Sequence, residues 1–274
     1  MTLRIGMFDS GVGGLTVLSE VKHLLPHNSF FYFGDTARCP YGGKSKSTIT
    51  RYSLENSAFL HTLGIDLLII ACHTASALAI DAVQQQLSIP ILGVIEPAIT
   101  CALQATRTGH IGVIGTKATI ASQVYEQKLK AAHPGITVTS LACPLFVPLV
   151  EEQFPNTEII RLVVQEYLQP LKNKKIDTLL LGCTHYPLLR PYIAEEMGPE
   201  VSIINPATTC AQAAHTLCQQ LTPHSNEPLE DRFFVSDDPE RFRHIGEHFL
   251  GYQVIPLIPS IPCTNFPDGK LHMV

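Results

Sequence analysis

Short apolar runs alternate with longer amphipathic stretches along the whole chain. The runs at 4–8, 30–33, 67–70, 91–94, 111–114, 138–142, 178–181, 203–204, 233–235 and 253–255 read as strands. The stretches at 15–25, 47–63, 75–87, 98–105, 119–131, 158–168, 188–197, 207–221 and 239–249 read as helices. Within each run the apolar residues are continuous rather than alternating, as in strands covered on both faces. Strand–helix alternation from end to end predicts an α/β fold with mainly parallel sheets. So many strands suit two sheets better than one, and Pro97 and Pro206 fall where the chain would cross between them. The Pro-rich tail from 256 to 274 lacks periodicity and reads as an irregular surface segment.

Two runs end alike. LLIIACHTASA, residues 67–77, places Cys72, His73 and Thr74 where a strand opens into a turn; LLLGCTHYPLL, residues 179–189, does the same with Cys183, Thr184 and His185. The echo suggests two similar halves. In open α/β sheets ligands bind beyond the carboxyl ends of strands. Cys72, Cys183 and Asp9 all follow predicted strands, which puts them on that edge.

Composition narrows the setting. The chain has 274 residues, 45% hydrophobic and 16% charged, with a net charge of −5. No Lys/Arg cluster is present to track phosphates, which argues against nucleic acid as a partner. No run reaches the ~20 residues of a membrane span, and no apolar signal region follows Met1. Eight cysteines without a C-x-x-C pair read as reduced thiols in a cytoplasmic protein, most of them packing residues.

FDSGVGGLTVL, residues 8–18, has the glycine-rich turn of a dinucleotide fingerprint, but Thr16 occupies the third glycine position. Asp35 stands roughly where a ribose ligand would lie, so a cofactor site is a weak reading. More economically, the glycines let backbone and helix N-terminus approach a small anion such as a carboxylate. GGKS, residues 42–45, echoes a P-loop whose first glycine is replaced by Arg38, and is discounted. Cys183-x-His185 admits a metal pair, for which no compact set of further ligands stands out, and a Cys–His acyl-transfer pair, which leaves Cys72 unused. Taken singly, each thiol is a buried packing residue; the polar residues that follow it need partners and shift the balance towards chemistry.

If the halves face each other, Cys72 and Cys183 approach one ligand from opposite sides. One thiolate then removes a Cα proton and the other thiol returns one to the far face. A free thiol has a pKa of about 8.5, which a cation or helix N-terminus lowers. Both cysteines precede predicted helices. No pyridoxal-binding lysine stands out, so the carbanion would rely on preorganised donors: turn amides and the hydroxyls of Ser10, Thr74, Thr116 and Thr184. Asp9, Glu151 and His185 would tune the thiols or shuttle protons.

FDSGVGGLTVL, YFGDTARCPYG, ACHTASA, GVIEPA, IGTKAT, LFVPLVEE and LGCTHYPLL occur together in the order and spacing of glutamate racemase, covering residue 5 to about 206. The chain resembles that family. The resemblance implies cofactor-independent interconversion of L- and D-glutamate, supplying D-glutamate for peptidoglycan. It implies two α/β domains around a cleft, 96–207 forming one and 1–95 with 208–274 the other, and a cytoplasmic homodimer. By position, Cys72 and Cys183 match the two acid/base thiols, acting on D- and L-glutamate respectively. Asp9 matches the carboxylate near the first, and Glu151 and His185 the groups assisting the second. Ser10, Tyr41, Gly42, His73, Thr74, Thr116, Thr119 and Thr184 match positions lining the substrate, with Asp9 and His185. No cofactor and no metal are implied.

Three positions depart from the family pattern. His73 stands in place of an asparagine, Gln153 in place of a glycine, and Cys39 is atypical and reads as a small apolar filler. His73 keeps two alternatives open: an aspartate or other amino-acid racemase of the same superfamily, and a binding protein with reduced turnover.

Overall fold

The computed structural model describes residues 2–223 and 230–259. The chain begins β1 (Arg4–Asp9), α1 (Leu15–Leu24), β2 (Ser29–Gly34), α2 (Lys46–His61), β3 (Leu67–Ile70), α3 (His73–Gln86), β4 (Ile91–Gly93) and α4 (Ile95–Ala105). It continues β5 (His110–Gly115), α5 (Lys117–Ala121), α6 (Val124–Ala132), β6 (Thr137–Ala142), α7 (Phe146–Glu151), α8 (Thr157–Lys172), β7 (Thr178–Gly182), α9 (Arg190–Met197) and β8 (Ser202–Ile204). It closes with α10 (Pro206–Cys218), β9 (Arg232–Val235), α11 (Pro239–Leu250) and β10 (Pro256–Leu257).

The fold is α/β, as the alternation predicts. One sheet has six strands in the order β10-β9-β2-β1-β3-β4 and the other four in the order β6-β5-β7-β8. Every strand pair in both is parallel. Parallel strands need helical crossovers, which cover both faces and explain the unbroken apolar runs. All four residues of β3 are buried, as are all five of β7. Each Leu or Ile so removed from water contributes about 1.5–3 kcal/mol.

The sheets share a core. One continuous apolar cluster takes Ile5 and Met7 from β1, Val17, Leu18 and Val21 from α1, Ile99 from α4, Val113 from β5, Leu180 from β7 and Ala211 from α10. The helices α1, α4 and α10 therefore join the two sheets. The central strands β1 and β3 of the larger sheet, and β5 and β7 of the smaller, carry the site on their carboxyl ends.

Four details differ from the pattern reading. The predicted helix 119–131 is two helices, because Gln123 adopts φ 55° between α5 and α6. The helix α7 has no counterpart in that reading; it is six residues long and contains Pro148, too short for periodicity to register. The predicted strand 253–255 lies one step early: pairing begins at Pro256, opposite Phe233, after Gly251 ends α11 at φ 72°. The tail read as irregular thus opens with a short strand, and 260–274 lie outside the described residues. Cys183 leads not into an α-helix but into a 3-10 turn at Tyr186–Leu189.

Gly182 fixes how closely β5 and β7 pack beside the site. A Cβ there would stand 2.6 Å from the Ile114 carbonyl oxygen, a backbone atom that cannot swing aside. Gly182→Ala should lower stability by about 1–3 kcal/mol in urea denaturation. Gly43→Ala, whose Cβ would meet nothing within 4 Å, should stay within about 0.5 kcal/mol of the parent. Equal stability of the two variants would show that the strands yield.

Candidate active site

A single cavity collects most of the predicted residues. Its walls are Asp9, Ser10, Cys39, Pro40, Tyr41, Gly42, Cys72, His73, Thr74, Thr116, Val147, Cys183, Thr184 and His185. Asp9 ends β1; Cys72 follows β3 and caps the N-terminus of α3. Thr116 follows β5 and Cys183 follows β7. The strand ends of both sheets thus bring both thiols to one space.

The two thiols sit in different electrostatic surroundings. His185 is buried, its Nδ1 3.7 Å from the Cys183 sulfur and its Nε2 2.9 Å from Glu151 Oε1. Burial opposes a charge on the ring, yet the hydrogen bonds to Cys183 and Glu151 outweigh it and raise its pKa to about 10. Glu151 is pulled below the ordinary carboxylate value: burial works against it, and the bond to His185 wins. Cys72 has no cation of this kind. Burial, helped by the charge of Asp9, pushes its thiol up to about 12, against the lowering effect of hydrogen bonds from Ala75 and Ser10. A helix N-terminus was expected to acidify this thiol; desolvation is the larger effect.

Asp9 is itself buried. Its Oδ2 accepts from Gly11 N–H at 3.0 Å, while Oδ1 has no hydrogen-bond partner among the described residues. Burial raises its pKa, and His185 partly offsets this. His73 shows a related mismatch: 3% exposed, with neither ring nitrogen hydrogen-bonded. Burial, reinforced by the charge of His185, lowers its pKa to about 3, so the ring is neutral. A charged His73 acidifying Cys72 does not fit this environment.

Three hydroxyls meet where the sheets adjoin. Thr74 Oγ1 lies 3.0 Å from Thr116 Oγ1 and 3.1 Å from Thr119 Oγ1. Thr119 does not line the cavity, contrary to its expected role; it stands behind Thr74 and Thr116 and bonds to both. Glu151 likewise is not in the wall but one hydrogen bond behind His185.

The glycine-rich turn serves a contact across the cleft. A Cβ on Gly13 would lie 2.4 Å from both His185 Cε1 and Thr184 Oγ1. Thr16, which broke the dinucleotide pattern, donates its hydroxyl to the Thr184 carbonyl at 2.9 Å. Asp35 is not free to hold a ribose: it is buried, bound at 2.7 Å by Arg38 Nε, and hydrogen-bonded by the Tyr41 hydroxyl and Ser236. Arg38 also pairs with Glu55 and Asn56. This buried network anchors the turn carrying Tyr41 and Gly42. Among the described residues no group of three His, Cys, Asp or Glu is arranged to hold a metal ion.

Cys39, read as a filler, proves to be part of the wall, with Pro40 and Val147. The first two lie within YFGDTARCPYG and Val147 within LFVPLVEE, but neither Pro40 nor Val147 was singled out there.

The family model for Asp/Glu/Hydantoin racemases matches residues 16–214. A glutamate racemase of Geobacter metallireducens is 49% identical over 249 residues, 90% of this chain and 92% of that protein. The crystal structure of the glutamate racemase isoform RacE1 from Bacillus anthracis superposes with TM-score 0.90 at 41% identity, covering 95% of this chain and 98% of that one. The Francisella tularensis glutamate racemase, solved in complex with D-glutamate, gives TM-score 0.88 at 36% identity over 97% and 99%.

The two histidines should leave opposite marks on stability. His185 binds its proton more tightly folded, with pKa about 10 against 6.5. Its stabilisation is complete below 6.5 and lost as pH rises towards 10. His73 binds its proton less tightly folded, with pKa about 3 against 6.5. Its contribution is present above 6.5 and lost as pH falls towards 3. Urea midpoints should therefore fall less steeply on the alkaline side in His185→Gln, and less steeply on the acid side in His73→Asn. Parallel curves for parent and variants would contradict these surroundings.

Proposed function

The chain belongs to the Asp/Glu/Hydantoin racemase family and is an amino-acid racemase; on that premise we propose that it interconverts L- and D-glutamate without a cofactor, by proton transfer between two cysteines, and so supplies D-glutamate for peptidoglycan. The observation that carries this reading is that Cys72 and Cys183, each beyond a central strand of a different sheet, line one cavity. Glutamate is favoured as substrate by the relatives' names and by the D-glutamate held in the Francisella protein.

In the L-to-D direction, Cys183 takes the Cα proton while Cys72, held as a thiol by burial, delivers its proton to the opposite face. His185, kept cationic by Glu151, stands beside the Cys183 sulfur and limits the cost of the negative charge that this sulfur carries before it takes the proton. In the D-to-L direction Cys72 must first lose its proton. Asp9, with one free oxygen and a raised pKa, is the group suited to accept it. Cys183, given a proton by the neighbouring His185 imidazolium, then delivers it to the far face as Cys72 takes the Cα proton.

The cavity wall contains no lysine or arginine. Substrate carboxylates are held by Ser10, Thr74, Thr116 and Thr184, by backbone N–H groups of the turns around Gly42, and by neutral His73, with Tyr41 shaping the wall. Thr119 supports this set from behind. Residues 96–207 act as one domain and 1–95 with 208–274 as the other, closing on the ligand. The working form is a homodimer, as the family resemblance implies, and the cysteine usage, charge and hydropathy of the sequence favour a cytoplasmic protein bound to neither nucleic acid nor membrane; no helix among the described residues is long and apolar enough to cross a membrane.

Cys72→Ala and Cys183→Ala should each reduce racemisation by at least ~10³-fold in both directions. Chiral chromatography of L- and D-glutamate, with both aspartates in parallel, checks this. Undiminished racemisation by either variant refutes the two-base scheme, and faster turnover of aspartate refutes the substrate assignment.

A further inference from the structure

Arg241 lies on α11, outside the residues 16–214 matched by the family model. Its helix belongs to the larger sheet's side: Phe242 and Ile245 are buried in the core beside Leu15 and Leu18 of α1. The guanidinium nevertheless reaches α7 on the other side of the cleft. Its Nη2 donates to Glu152 Oε1 at 2.8 Å and lies 3.4 Å from Glu151 Oε2. The other oxygen of Glu151 accepts from His185, whose Nδ1 faces Cys183. Four residues, Arg241, Glu151, His185 and Cys183, thus form one chain from the surface of one half to a sulfur in the cavity.

We propose that Arg241 is a positioning residue for the Cys183 arm of the reaction, fixing the Glu151 carboxylate so that His185 stays aimed at the sulfur. The inference rests on the racemase reading above. The pair with Glu152 is largely exposed and is worth little by itself. Glu151 is different: its side chain is 17% exposed and that of its partner His185 only 6%. A carboxylate held by one oxygen can rotate about its final bond; a cation on the second oxygen removes that freedom. Arg241 is itself held in place, since its backbone N–H donates to the Asp238 side chain that caps α11, at 3.1 Å. Because the two partners belong to different sides of the cleft, the contact forms when the halves are closed, which couples closure to the alignment of His185.

The test uses the full chain. Arg241→Ala should lower kcat about tenfold in both directions with KM changed less than kcat, and Arg241→Lys should recover at least half of the loss on a logarithmic scale. The double variant Arg241→Ala/Glu151→Gln should be no slower than Glu151→Gln alone. Arg243→Ala, which removes a cation whose partners Glu240 and Glu247 lie on the same helix, should match the parent. In the ligand-free protein, the downfield imidazole proton of His185, assigned by its loss in His185→Asn, should exchange faster with water in Arg241→Ala and not in Arg243→Ala. Unchanged kcat in Arg241→Ala, multiplicative losses in the double variant, an equal loss in Arg243→Ala, or an unmoved imidazole proton would overturn the proposal. A parent protein that fails to racemise glutamate would overturn the functional reading instead, and the imidazole proton would still decide the role of Arg241.

Discussion

Two parallel sheets turn their carboxyl ends towards one cavity, and the apolar layer of α1, α4 and α10 between them holds that arrangement. Everything in the site follows from this constraint. Strand ends expose backbone donors and short polar side chains in a space that helices keep dry. A thiol at each of two such ends, in separate sheets, shares the space only because the sheets are tied through a common core. Contacts nearer the cavity refine the fit: the bare Cα of Gly13 lets His185 and Thr184 approach, and Thr16 bonds to the Thr184 carbonyl.

Burial also sets the surroundings of the two thiols apart. Burial penalises charge everywhere, so each ionisable group there is either compensated or neutral. On the Cys183 side an imidazolium lies between sulfur and carboxylate. On the Cys72 side the neighbours are a neutral imidazole and the buried carboxyl group of Asp9, whose pKa burial raises, and the thiol keeps its proton. A racemase must reach its product from either enantiomer.

Much of this was legible from residues alone. Continuous apolar runs ending in Cys72 and Cys183 pointed to parallel sheets with both thiols beyond strand ends, because strands covered on both faces read as unbroken apolar runs. The departures have physical causes. Gln123 breaks a helix through one backbone torsion that no side-chain period records. Pro148 sits inside the short helix that carries Glu151, which disguised it as a loop. Asp35 fell near a plausible ribose position, but Arg38, Tyr41 and Ser236 claim its carboxylate. The depth of burial around Cys72 was invisible, so the helix terminus was overrated against desolvation. Arg241 carries no sequence signal, since its partner lies ninety residues away and across the cleft.

The central claim is that two separate groups serve the two faces of one carbon. Racemisation begun in heavy water from each pure enantiomer, with product and recovered substrate separated early and weighed by mass spectrometry, tests it most directly. Two facing thiols predict deuterium at Cα of the product and almost none in the recovered substrate, from either starting hand. Equal labelling of substrate and product would mean that a single group both takes and returns the proton, and would contradict the pairing of Cys72 with Cys183.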